Sequence, residues 1–522
     1  MGNTDDKNSR LLSQIRQHAS IDIVKSRLNG YLQECQTPQP QSFAENAERA
    51  LRITRLTDNP PYRVQCHPWT TVINDDALVS HLISLWLSWD EIWYTWMDKE
   101  VFLTAMRQKD LQSKYCSQFM VNIILAWACP YSDWDEVRTK EGRQSDLSRA
   151  FLAEAKHLFE QDVLGTTDLP LVQGLAFLVF TSALFGDDRG GYLYLLRLVG
   201  LCEELQANPP VSASPLDQAE LSMVTDTTCW GIYNVFTASM LSFMRPHAMS
   251  VPLRQRPPYV ASVWTPYPLR NEIYRDHRGL LFNFHCDLSI IGAQLTLIIF
   301  NETFVDEHVR QVTDANQRIV QLLADLPEEL QISDDVPASV LVHHGWYQFV
   351  LLRSLLWLVK NSPVPATQEY ARMMAVEAAL RVAHTFDTYG RKYGYVHISC
   401  MCTQSISTAL YTLLDAKDGT DYSDAIIVLF TCLRAMSRRW VMIAGIMRMV
   451  QIYAKNVSRG LSAATQTMLQ DFESKEWHSR RTRKLISIYP QPAVATNHLV
   501  PGTEPRDMGR FLEKMDALTV SS

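Results

Sequence analysis

The sequence lacks what would mark it for export, for a membrane or for coating nucleic acid. No stretch supplies the ~18–20 uncharged apolar residues that a membrane span needs. Residues 169–185 and 288–300 come nearest and are too short or too interrupted. The opening Met-Gly-Asn-Thr-Asp-Asp-Lys is polar and acidic, unlike a secretory signal peptide, and Asp6 breaks the pattern for myristoylation at Gly2. Basic residues are not in excess: 49 Lys and Arg stand against 56 Asp and Glu, a formal net charge of −7. A protein that coats nucleic acid draws its affinity from clustered Lys and Arg, so this balance argues against one. The ten cysteines, at 35, 66, 116, 129, 202, 229, 286, 400, 402 and 432, follow no regular spacing. They read as reduced, buried, small apolar side chains of an intracellular protein. Gly-x-Gly-x-x-Gly, Walker and Gly-x-Ser-x-Gly motifs are missing, as are period-two strand patterns and fixed-length repeats.

What remains is helix. With 47% hydrophobic and 20% charged residues in 522, the chain has the balance of a folded globular protein with one large or two smaller cores. The pattern is organised around 78–131. Trp86, Trp89, Trp93 and Trp96, with Leu78, Leu82 and Leu85, fall within ~100° of one helix face at ~100° per residue. Asn74, Asp75 and Asp76 offer an N-cap and an acidic first turn. A second apolar run, 115–128, ends at Pro130. A face so rich in indole has to be covered, so these runs form the first layer of a large helical core.

Further helices follow at 145–159, at 171–180 with Asp168 as N-cap and Pro170 in its first turn, and at 190–208. The helix through 226–244 ends in Arg245-Pro246, and Trp230 near its start is expected to be buried against the tryptophan-rich helix. A proline-rich irregular segment, 252–268, separates two helical halves. The second half continues through 290–300, 340–360, 397–414 and a single run at 425–451. The expected organisation is a linker-like region with short helices at 1–72, a helical domain at 73–490, and a largely disordered tail at 491–522 carrying a short helix near 510–518.

Three clusters invite a chemical reading. His397-x-x-Cys400-x-Cys402 has metal-ligand residue types but no fourth ligand at a recognised spacing. His343-His344 near Trp346 has the form of an acid/base pair, though core histidines bonded to carbonyls fit better. Gly186-Asp187-Asp188-Arg189 resembles the Mg²⁺ motif of terpene-cyclising helical enzymes, but the second metal motif is missing and a solvated loop is the better reading. The basic run at 478–484 suits a charged helix end better than a nuclear import signal. No residue is therefore assigned a catalytic, cofactor-binding or metal-binding role.

A resemblance emerges from segments in order. Asp98-Lys99-Glu100-Val101-Phe102, Tyr115-Cys116-Ser117 and the run 121–126 resemble the opening of the regulatory middle domain of fungal zinc-cluster transcription factors. Gly191-Tyr192-x-Tyr194, then Trp230, Gly231, Ser239, Arg245 and Pro246, continue the likeness, as does the histidine-bearing segment from His343 to Arg353. Three positions depart from the pattern. Asn234 stands where Asp is common, Arg353-Ser354-Leu355 replaces His-Arg-Pro, and Met244 replaces a glycine, which suggests a looser turn before Arg245.

The resemblance spans roughly 75–490. It implies an all-α, nuclear, non-catalytic domain that regulates transcription by RNA polymerase II. Implied partners are co-regulator proteins, an intact zinc-cluster transcription factor or a small-molecule inducer, with DNA reached indirectly and a homodimer allowed. The family's six-cysteine zinc cluster is not among these 522 residues: either it has been lost or it lies outside them, so zinc is expected only in members that keep it. Two other readings stay open, an α-helical enzyme of the terpene cyclase type and a helical dimerisation scaffold.

Overall fold

Fifteen α-helices of nine residues or more, a helical turn at 508–512 and one short β-hairpin make up most of the described part of the chain. The structure is a computed structural model, and it describes residues 59–90, 95–134, 136–137, 146–161, 167–258, 262–268, 273–301, 306–333, 336–456, 461–477, 485, 487, 489–490 and 508–512. The helices are α1 Asp76–Trp89, α2 Lys99–Gln108, α3 Gln118–Ala128, α4 Asp146–Gln161, α5 Leu169–Leu184, α6 Asp188–Ala207 and α7 Pro215–Phe243. After the hairpin come α8 Arg278–Ile299, α9 Asp306–Ala324, α10 Ala338–Asn361, α11 Pro365–Tyr393, α12 Thr403–Asp415, α13 Ser423–Ser437, α14 Val441–Asn456 and α15 Ala463–Asp471. The all-α expectation is met.

Local chemistry sets the helix starts. The Asp75 carboxylate accepts from the backbone N–H groups of Ala77 and Leu78 at 2.9 and 3.0 Å. Asp98, Ser117, Asp168, Asp187 and Ser214 do the same for α2, α3, α5, α6 and α7. Each satisfies N–H groups that the first turn leaves without a helical partner.

Helix ends are set by distant parts of the chain, and here two expectations are corrected. The tryptophan-rich helix stops at Trp89, so Trp96 lies beyond its end, and Trp93 falls outside the described residues. The Ser88 carbonyl, which a continuing helix would use four residues on, accepts from the Trp264 indole at 2.7 Å. The run 425–451 is two helices, broken at 438–440. Trp440 is turned there into an aromatic cluster, with ring centroids 5.6 Å from Trp127, 5.8 Å from Tyr131 and 5.9 Å from Phe185.

The proline-rich segment is also not wholly irregular. Strands β1 Ser262–Trp264 and β2 Tyr274–Asp276 pair antiparallel, with Val263 opposite Arg275. The hairpin carries Trp264 between the two halves, edge-on to Trp89 and Tyr393 at 5.6 Å each. Contacts of α7 with α8 and of α5 with α14 join the halves again. Buried apolar residues form one cluster from Val64 to Leu512.

Packing also reaches past both expected borders of the helical domain. Trp69 is fully buried and donates its indole N–H to the Met106 carbonyl at 2.8 Å. At the other end Met508, Phe511 and Leu512 are buried. By length and composition α8 could cross a membrane, but it packs against α7, α9 and α10, and 56% of its most apolar window is buried.

Candidate ligand pocket

Helix α7 organises the interior by letting another segment come close. Gly231 sits against Trp96, and a Cβ added there would lie 2.5 Å from the Trp96 Cα. Trp96 is fully buried, and its carbonyl accepts from Thr228 Oγ1 at 2.9 Å and from the Gln173 amide at 3.2 Å. Its indole N–H donates to the Gln173 carbonyl at 3.2 Å. Trp230, one residue before the glycine, is buried as expected. Its indole N–H donates to the Arg254 carbonyl at 2.9 Å, and the Arg256 guanidinium lies 5.0 Å above its ring. The helical turn between positions 230 and 231 sends the two residues to different neighbours.

The end of α7 corrects a second expectation. Met244 adopts the left-handed conformation, φ 54° and ψ 51°, and the Arg245 N–H bonds the Met240 carbonyl at 3.0 Å. The turn is therefore the one a glycine would make, at a cost of about 1–2 kcal/mol for an L side chain. Arg245 is placed with its guanidinium 5.0 Å above the Tyr192 ring.

Beside that turn lies a cavity of about 80 Å³. Its walls come from α5 (Val179, Ala183), α6 (Gly191, Leu195), α7 (Ala238, Ser242) and α14 (Met442, Ile446), together with Cys400, Gln404 and Tyr489. Most of the lining is apolar. The hydroxyls of Ser239 and Ser242 donate to their own helix, to the Val235 and Ala238 carbonyls at 2.8 and 2.7 Å. The polar end is Gln404 with Tyr489, whose hydroxyl donates to Gln404 Oε1 at 2.6 Å. Burial pushes the Tyr489 phenol above its ordinary range, so it stays protonated as a donor.

Tyr489 is held by a carboxylate outside the cavity lining. Asp188, at the start of α6, accepts from Ser487 Oγ at 2.6 Å and from the Tyr489 N–H at 3.2 Å. The Met508 N–H closes on the Tyr489 carbonyl at 2.8 Å. The solvated loop expected at Gly186-Asp187-Asp188-Arg189 is thus overturned: Asp187 caps α6, and Asp188 is buried and bonded. Nothing around the motif announced this, because its partners lie 299 and 301 residues away.

The other clusters are built into the core. His343 Nδ1 is 2.8 Å from the Ser339 carbonyl and His344 Nε2 is 2.7 Å from the Leu330 carbonyl, as bonded core histidines should be. Burial holds His343 down to about 4, and it lowers His285, whose ring centroid lies 5.4 Å away, as well. The His397 ring stacks on Trp89 at 4.9 Å and 10°. Cys400 faces the pocket and Cys402 is buried. Among the described residues no group of three or more His, Cys, Asp or Glu is placed to hold a metal ion. The basic run at 478–484 lies outside the described residues.

Residues 82–233, from α1 into α7, match the model of the fungal specific transcription factor domain. The chain is 28% identical over 493 residues to the notoamide biosynthesis transcriptional activator notL' of Aspergillus versicolor, covering 85% of this chain and 77% of that protein. It is 24% identical over 464 residues to the nitrogen assimilation transcription factor nirA of Emericella nidulans, covering 84% of this chain and 52% of the relative. With the nitrogen assimilation transcription factor nit-4 of Neurospora crassa it shares 21% over 404 residues, 71% of this chain and 36% of that one. The domain match and the relatives, named as a transcriptional activator and two transcription factors, support a transcription regulator role for the chain. The matched residues supply the α5 and α6 side of the pocket. Residues outside the match, among them Gln404, Met442 and Tyr489, supply the rest.

Proposed function

We propose that the chain acts in the nucleus as a non-catalytic regulatory domain for transcription by RNA polymerase II, working through partners and answering to a small inducer. The partners are a co-regulator protein or an intact zinc-cluster transcription factor, and DNA is reached through them. The observation that carries this reading is the fungal specific transcription factor domain at 82–233, set within a core that runs on to residue 512. The scattered, buried cysteines and the net charge of −7 agree with DNA contact made by a partner. Asp187 and Asp188, the carboxylates that suggested a terpene cyclase, are engaged by protein groups, which counts against an enzyme.

The test is to tether the chain to an unrelated DNA-binding module in a fungal cell and measure a reporter beneath the matching site. A change in reporter output of about fivefold or more, the scale of an ordinary regulatory coupling, supports the proposal. The purified chain, titrated against promoter fragments at physiological salt, should show no sequence-selective binding. Selective nanomolar binding, or stoichiometric zinc by elemental analysis, would overturn the assignment of DNA contact to a partner.

A further inference from the structure

We infer that the cavity between α5, α6, α7, α12 and α14 is a binding site for a small, uncharged, largely apolar molecule with one hydrogen-bonding group. This rests on the reading of the chain as an inducer-responsive regulator and assigns the place and chemical class of the inducer.

The class follows from the walls. Among the described residues no Asp, Glu, Lys, Arg or His lines the cavity. A charged ligand would lose its hydration there with no counter-charge to meet it. The lining of Val179, Leu195, Met442 and Ile446 favours a hydrocarbon surface, and the serine hydroxyls are spent on their own helix carbonyls. The Gln404 amide and the Tyr489 hydroxyl, bonded to each other, form a polar end. A single ligand hydroxyl, carbonyl or N–H fits there, and the rest of the ligand meets a mostly apolar wall. About 80 Å³, roughly half of the ~150 Å³ of an apolar cavity that takes benzene, limits the ligand to one small ring or a short branched chain.

The location gives such a ligand leverage. The α5–α7 walls adjoin the Trp96–Gly231 contact, while α12, α14 and Tyr489 belong to the other half of the chain. A bound molecule would add contacts between the halves and brace Tyr489, which Asp188, Ser487, Gln404 and Met508 hold and Phe243 meets edge-on.

The probes are phenol, toluene and benzoate, titrated into the purified full chain at neutral pH and followed by saturation-transfer NMR. Phenol and toluene should saturate the protein at roughly millimolar concentration, the range open to ligands of so few atoms. Benzoate should bind about tenfold more weakly or not at all, its charge finding no partner. Ser242→Phe, which fills the cavity from a half-buried position, should weaken both neutral probes about tenfold, with folding verified by circular dichroism. Gln404→Leu should leave toluene unchanged and bring phenol down to the toluene level, and it stands as the test if Ser242→Phe does not fold. Three results overturn the inference: equal binding of benzoate, neutral-probe binding untouched by a folded Ser242→Phe, or no saturable binding of phenol or toluene at roughly 10 mM. A tethered chain that regulates the reporter but binds neither neutral probe removes the pocket alone. A chain that binds phenol as described but leaves the reporter unchanged removes the transcriptional reading alone.

Discussion

Two regions of this interior are built from similar material and finished differently. Around Trp96, helices α5 and α7 close on one another, Gly231 gives up its side chain to admit the Trp96 backbone, and Gln173 and Thr228 satisfy its polar atoms. Around Tyr489 the same two helices, with α6, α12 and α14, leave a cavity. The difference is one of side-chain size and reach. Large indoles fill the first region and find carbonyls for their N–H groups. Small residues (Ala183, Gly191, Ala238, Ser242) face the second, and the tyrosine that partly fills it arrives from the far end of the chain. An unfilled space of this size costs about 2 kcal/mol at ~24 cal/mol per Å³. A fold that keeps it forgoes that stability, and binding a ligand would recover part of it.

The comparison breaks most visibly at Trp96. Trp96→Ala should cost about 3–5 kcal/mol in chemical denaturation, as large aromatic truncations do in a closed core. An unchanged midpoint would mean that the Trp96 region is no better packed than the pocket.

Acid should act next. Burial holds His247 and His343 down to about 4 and also lowers His285 and His344. Their unfolded values lie near 6.5, so below that pH the unfolded chain takes up protons that the native chain refuses. Stability should therefore fall as pH drops from 6.5 towards 4, by at most about 1.4 kcal/mol per pH unit for each histidine. Denaturation midpoints at pH 7, 5.5 and 4.5 check this, and a flat profile would contradict the buried neutral histidines.

Gly231→Ala separates contact from composition. The added methyl group meets backbone rather than a movable side chain, so about 1–3 kcal/mol of overpacking is expected. A neutral outcome would show that Trp96 can retreat.

The smallest effect belongs to the pocket. Tyr489→Phe removes the bond to Gln404 and should cost about 0.5–1.5 kcal/mol, with faster proteolysis near the C-terminal end. A cost as large as that of Trp96→Ala would show that the pocket is held as rigidly as the tryptophan region.

Much of the scaffold was legible in the residues. Asp75 and Asp168 announced helix starts because an N-cap acts on N–H groups two or three residues away, a distance the sequence displays. His343 and His344 were readable as core histidines for a similar reason: their bonded carbonyls lie four and fourteen residues off. The pocket was not readable. Tyr489 and Gln404 stand 85 positions apart in segments with no shared motif, and Asp188 looked like part of a polar loop.

By itself, the sequence determined the helical class, the order of the motifs and the burial of the nine described cysteines, all properties of periodicity and composition within a few turns. Only the tertiary structure decided where α1 stops, which neighbours Trp230 and Gly231 meet, that Met244 takes a glycine's conformation, and that a cavity remains beside Tyr489. The physical reason is range. Helical hydrogen bonds close over four residues, whereas the Trp264 indole reaches the Ser88 carbonyl across 176 and Ser487 reaches Asp188 across 299. Such contacts exist only once the chain has brought its own ends together.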